Sequence, residues 1–120
     1  MARILLVDDS MLMRRDLKNF FQEHGHVIVG EASNGEKALS EYVLHKPDLV
    51  TMDITMPNVD GISAIKNILK SFPEAKIVII SSVQQTNLVY EALLSGAKGY
   101  IVKPLKIEKA IKTIEAILNE

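Results

Sequence analysis

A chain of 120 residues, 48% apolar and 24% charged, is long enough for one domain with its own core and too short for two. Its net charge of -1 argues against a nucleic-acid-binding surface, and the absence of cysteine excludes disulfides, thiolate chemistry and sulfur-ligated zinc. Only four apolar residues separate Arg3 from Asp8, so neither a signal peptide nor a membrane span can be drawn, and a cytoplasmic location is the default expectation.

Ile4, Leu5, Leu6 and Val7 form an all-apolar run that suits a strand covered on both faces of a parallel sheet, and it ends on Asp8 and Asp9. Ser10 is a candidate N-cap for a helix whose buried face carries Leu12, Leu17, Phe20 and Phe21, with Met11 and Met13 as packing residues and Gly25 as the stop. Residues 27–32 read as a second strand. Asn34 and Gly35 open a helix over 36–45, with Ala38, Leu39, Tyr42 and Val43 at apolar spacing, and Lys46-Pro47-Asp48 breaks the chain after it.

The third apolar run, Leu49, Val50, Thr51 and Met52, stops abruptly on a carboxylate, Asp53. Pro57 cannot continue a strand ladder and Gly61 can take backbone angles closed to other residues, so Asp53 sits where a strand gives way to a loop. Ile62, Ile65, Ile68 and Leu69 then recur at helical spacing until Phe72-Pro73. A fourth strand over 77–80 closes on Ser81 and Ser82, and a helix over 84–95 turns Leu88, Val89, Ala92 and Leu93 inward, with Gly96 at its C-cap. Tyr100, Ile101 and Val102 make a fifth strand ahead of Lys103-Pro104. The last helix runs from 105 or 106 to 119, with Ile107, Ala110, Ile111, Ile114 and Ile117 as its apolar positions.

Strand and helix thus alternate five times, which predicts an α/β fold: a five-stranded parallel sheet, doubly wound, with five helices. Alternation alone leaves the strand order open. Four of the five runs finish on side chains able to do chemistry: Asp8 and Asp9, Asp53, Ser81 and Lys103. In a parallel sheet these ends share one edge, where open α/β sheets bind ligands.

Three acids against one amine leave a formal charge of -2 at that edge, which disfavours ionisation unless a cation neutralises it. Magnesium suits such a cluster, since it accepts a few carboxylates and keeps positions open for water and phosphate oxygens. A divalent ion, an ammonium and a hydroxyl around one carboxylate is equipment for phosphoryl transfer to Asp53. Singly, each residue has a plainer role: Asp8-Asp9 as helix cap, Asp53 as turn residue, Lys103 as surface lysine, Ser81 as strand end. His24, His26 and His45 lack metal-ligand spacing and read as solvated.

Taken together, Asp8-Asp9, Asp53 within the segment MDITMP, Gly61, Ser81, Tyr100 and Lys103-Pro104 resemble the receiver domains of two-component response regulators, most closely the stand-alone chemotaxis members, over essentially all of residues 1–120. The resemblance implies a flavodoxin-like sheet of order 2-1-3-4-5, a cis Lys103-Pro104 bond, and Asp53 as acceptor of phosphate from a sensor histidine kinase or a small phosphodonor. It implies Mg2+ bound by Asp9 and Asp53 and by the backbone carbonyl of Thr55, with Asp8 acting largely through water. Lys103 and Ser81 would engage the phosphoryl group, and Ser81 and Tyr100 would switch the face made by the fourth helix, fifth strand and fifth helix. The expected protein is a monomer that acts on a downstream target, such as a flagellar motor switch component, without touching nucleic acid or entering a membrane. Ser82 and Leu105 stand where the family usually has alanine and, in its chemotaxis members, phenylalanine; the β-branched Thr55 bears on water access and phosphoryl lifetime.

Four rivals compete with this reading. A receiver-shaped adaptor that signals without phosphate is made unnecessary by the complete acidic and lysine set. A receiver excised from a larger regulator, with a DNA-binding or enzymatic output domain, would read identically over this stretch. An aspartate-nucleophile phosphohydrolase would want a second aspartate two residues after Asp53, where the chain has Thr55. A flavin module would want a hydroxyl-rich phosphate loop after the first strand, where Asp8-Asp9 repels phosphate. The expected role is therefore signalling, with only self-phosphorylation and self-dephosphorylation as chemistry.

Overall fold

The computed structural model describes residues 1–54, 56, 60–82 and 86–120. Strands and helices alternate as β1 (Arg3–Val7), α1 (Met11–Glu23), β2 (Val27–Ala32), α2 (Gly35–His45), β3 (Leu49–Asp53), α3 (Gly61–Ser71), β4 (Ile77–Ser81), α4 (Thr86–Leu94), β5 (Gly99–Val102) and α5 (Ile107–Leu118). The strands pair in parallel in the order β2-β1-β3-β4-β5, as the resemblance implied. Residues 84 and 85 of the predicted fourth helix, like Pro57, lie outside the described residues.

The continuous apolar runs are explained by two packed faces. Along each strand successive side chains alternate between sides. Leu5, Val7, Val50, Met52, Ile77 and Ile79 join residues of α2, α3 and α4 in one layer, whereas Ile4, Leu6, Leu49, Val78, Ile80 and Ile101 join α1 and α5 in the other. Strands β3 and β4 are buried along their whole length, so the ends of these two strands are placed by the core itself.

Helix starts follow capping chemistry. Ser10 accepts the Met13 amide, Asn34 that of Lys37 and Asp60 that of Ser63, satisfying donors that the first helical turn leaves orphaned. The first two caps are as the sequence predicts; Asp60 escapes a reading centred on Gly61. Gly96 follows α4 with φ +116°, a conformation that favours glycine and ends the helix as expected.

Some inward assignments are wrong. Leu12 is 58% exposed, because five residues at 100° each put it about 140° around the helix from buried Leu17. Met11 is exposed too, and so are Val43, Leu88 and Ile107, each at the flank of its apolar stripe. The histidines also divide: His24 is exposed, but His26 is half-buried and accepts the Ala2 amide on Nδ1 at 3.0 Å. Burial first, then the amino-terminal ammonium and His24, hold the His26 pKa below its ordinary value against the pull of Glu115, which suits a neutral ring acting as acceptor.

One buried hydroxyl sits idle in this core. Thr51, in the middle of β3, is buried, and its Oγ1 has no hydrogen-bond partner. Desolvating a hydroxyl without a partner is costly. Thr51→Val is expected to leave stability unchanged or raise it by up to about 1 kcal/mol, read from the urea unfolding midpoint; a clear loss would show that the hydroxyl is bonded in solution.

Candidate functional site

The carboxyl edge of the sheet collects the polar strand ends. Val7 pairs with Met52 in the β1/β3 ladder, so Asp8 comes level with Asp53, and Asp53 pairs with Ile80, the neighbour of Ser81. Lys103 follows β5 and its amide donates to the Ser81 carbonyl at 2.7 Å. Two-residue alternation carries the rows Ile4-Leu6, Leu49-Thr51 and Ile101 onward to Asp8, Asp53 and Lys103, all on the α1/α5 side. Ser81 continues the Ile77-Ile79 row of the opposite layer.

These placements bring four of the expected residues together. Asp8, Asp9 and Asp53 offer carboxylate oxygens that all lie within 4.8 Å of one another, the one such group among the described residues. Lys103 Nζ lies 3.4 Å from Asp8 Oδ2 and 4.0 Å from Asp53 Oδ1. Asp8 is 1% exposed and Asp53 7%, while Asp9 is exposed. The Ser10 amide donates to Asp8 Oδ1 at 2.9 Å, a second role for a residue predicted only as a cap. Lys103-Pro104 is cis, as the resemblance implied. Thr55, whose carbonyl was expected on the metal, lies outside the described residues.

Two unit charges about 4 Å apart interact by about 4 kcal/mol at the effective permittivity of a partly buried site. One amine therefore cannot offset three carboxylates, and the net -2 matches a divalent cation. Oxygens bound to one Mg2+ at about 2.1 Å stand at most about 4.2 Å apart. The 4.8 Å span thus needs a closure of under an ångström, or one ligand acting through water. Asp8 suits that outer role, since Ser10 and Lys103 already engage both its oxygens.

Ser81 is 0% exposed and its Oγ has no hydrogen-bond partner, an orphaned donor at the edge where the acids converge. Ser81 and Tyr100 line one groove of about 330 Å3 with Ser82, Val89, Tyr90, Leu93 and Val102, and Tyr100 is 48% exposed. Sequence reasoning found Ser81 and Tyr100 but missed Arg14, whose Nη1 donates to the Asp8 carbonyl at 2.6 Å. No motif marks it, because its partner at the site is main chain.

A parallel sheet that gathers three acids and a lysine at its carboxyl edge is the arrangement of the receiver class, and residues 4–115 match the response regulator receiver domain model. The chain belongs to that family, the receiver domains of two-component systems. It is 44% identical over 115 residues to the chemotaxis protein CheY of Thermotoga maritima, covering 96% of each chain. It is also 44% identical over 117 residues to the transcriptional regulatory protein PdtaR of Mycobacterium tuberculosis, covering 98% of this chain and 57% of that protein. Among solved structures, a chain of the CheX-CheY-BeF3-Mg complex from Borrelia burgdorferi superposes with a TM-score of 0.90 at 37% identity, over 96% of this chain and 87% of that one. No helix among the described residues is long and apolar enough to cross a membrane.

Gly61 holds the site from behind. A Cβ there would collide with the Asp53 carbonyl oxygen and stand 2.7 Å from Ile54 Cα, and the Gly61 amide donates to the Ile54 carbonyl at 2.8 Å. The start of α3 can therefore lie against the backbone leaving β3 only without a side chain. Gly61→Ala is expected to cost about 1–3 kcal/mol in urea unfolding, the usual range for overpacking; unchanged stability would mean that this approach is not obligatory.

Proposed function

We propose that the chain is a phosphorylation-activated switch with Asp53 as its phosphoacceptor. An oxygen of the Asp53 carboxylate attacks phosphorus, the new O–P bond forms as the donor's bond to phosphorus breaks, and the electron pair leaves on the donor, a phosphohistidine of a sensor kinase or a small phosphodonor. An aspartyl phosphate results. The observation that carries the reading is that one nearly buried carboxylate has both an acidic pair and the Lys103 amine beside it.

Lys103 then neutralises phosphoryl oxygens, and the Ser81 hydroxyl, unpartnered otherwise, donates to one of them. Asp9, Asp53 and the Thr55 carbonyl are the residues to hold Mg2+, with Asp8 acting through water. When bound, the ion supplies positive charge to the phosphoryl oxygens. Movement of Ser81 toward the phosphoryl group draws on the groove it shares with half-exposed Tyr100, so Tyr100 can turn inward and alter the α4-β5-α5 face.

The near full-length similarity to a chemotaxis protein favours a single-domain chemotaxis regulator, monomeric and cytoplasmic, receiving phosphate from a histidine kinase and binding a motor switch component. The similarity to a longer transcriptional regulator favours a second reading, a receiver that serves an output domain. The site chemistry is the same in both, and in both the chain is a switch rather than a turnover enzyme.

With radiolabelled acetyl phosphate and Mg2+, the wild-type chain is expected to take up one hydroxylamine-labile phosphoryl group and Asp53→Asn none. Undiminished labelling of Asp53→Asn would move the acceptor elsewhere.

A further inference from the structure

We propose that Arg14, braced by Glu31, is a positioning residue for divalent-cation binding, because it fixes the peptide that joins Asp8 to Asp9. The inference rests on the metal reading above. Every polar atom of Asp8 is engaged. Its amide donates to the Ala32 carbonyl at 3.0 Å, its Oδ1 accepts the Ser10 amide at 2.9 Å, and its Oδ2 faces Lys103 Nζ at 3.4 Å. Its carbonyl oxygen accepts Arg14 Nη1 at 2.6 Å, the shortest of these contacts.

That carbonyl belongs to the same planar unit as the Asp9 amide, so the Arg14 bond sets the plane from which Asp9 departs. Asp9 needs such guidance. It is exposed, and its side chain has no hydrogen-bond or ion-pair partner among the described residues, so its backbone aims it. Arg14 is itself held: Nε lies 3.1 Å from Glu31 Oε1, and its side chain is only 15% exposed. Glu31 sits on β2 in register with Leu6 of β1, so the brace ties α1, β1 and β2 together at the edge where the acids converge.

Only the planar guanidinium can address the carbonyl and the carboxylate at once from two fixed directions. The charges of Arg14 and Glu31 cancel, which leaves the -2 of the acidic site intact. This makes position and charge separable. A cation that merely sits near the acids would oppose Mg2+, and its removal would tighten binding. A residue that aims Asp9 would do the reverse.

The test is calorimetric titration of Mg2+ into the unphosphorylated chain, with circular dichroism confirming that each variant is folded. Arg14→Met is expected to raise the Mg2+ Kd about tenfold, the low end of what outer-shell supports of metal ligands contribute. Arg14→Lys keeps the charge but not the two-sided contact, and is expected to raise the Kd by a smaller factor. Binding as tight as wild type or tighter in Arg14→Met, or unchanged in Arg14→Lys, overturns the proposal; should Arg14→Met fail to fold, Arg14→Lys decides alone. A wild-type chain that takes up no Mg2+ overturns the metal reading itself, and this inference with it.

Discussion

Mutual repulsion among Asp8, Asp9 and Asp53 is the constraint on which the functional edge depends. Left to themselves, three carboxylates would separate; here the pairing of β1 with β3 brings the ends that carry them together, with oxygens within 4.8 Å of one another. The restraint comes from below, from β3 and β4 packed between two apolar layers. Because the core places the ends of β1 and β3, Asp8 and Asp53 cannot move apart without disturbing the ladder between them, whereas exposed Asp9 is aimed only by its backbone. Lys103 relieves part of the repulsion, and the residual charge makes the edge a receptor for positive charge.

The same rigidity would let the group proposed at Asp53 act elsewhere in the molecule. Interiors packed this densely rearrange between discrete states instead of deforming smoothly. Ser81 supplies a buried hydroxyl without a partner, and Tyr100 a half-exposed ring on the wall of the same groove. The proposed switch would require a second arrangement of both residues.

Much of this was legible in the sequence because it rests on local rules. The apolar strand runs, the Ser10 and Asn34 caps and the Gly96 stop each follow from a few adjacent residues. The acids and Lys103 were legible as a set because parallel strands put their carboxyl ends on one edge. Strand order was not, since several orders satisfy the same alternation; it came from family resemblance. Val43 misled because it follows buried Tyr42 without sharing its face, and Leu12 because its five-residue offset from Leu17 takes it off the buried side. Arg14 shows the deeper limit, because it acts on main chain and main-chain partners leave no trace in side-chain spacing. Gly61 was legible as special, but for its backbone angles, whereas the fold needs it for a close approach to the backbone of Asp53 and Ile54.

The central claim is that the three acids share one cation, and anomalous X-ray scattering from crystals soaked in Mn2+ tests it most directly, because Mn2+ accepts the oxygen ligands of Mg2+ and scatters anomalously. The account expects one strong peak within coordination distance of Asp9 and Asp53, with Asp8 in contact through water. A fully occupied peak at another place on the surface, or none beside Asp53 at saturating Mn2+, would contradict it.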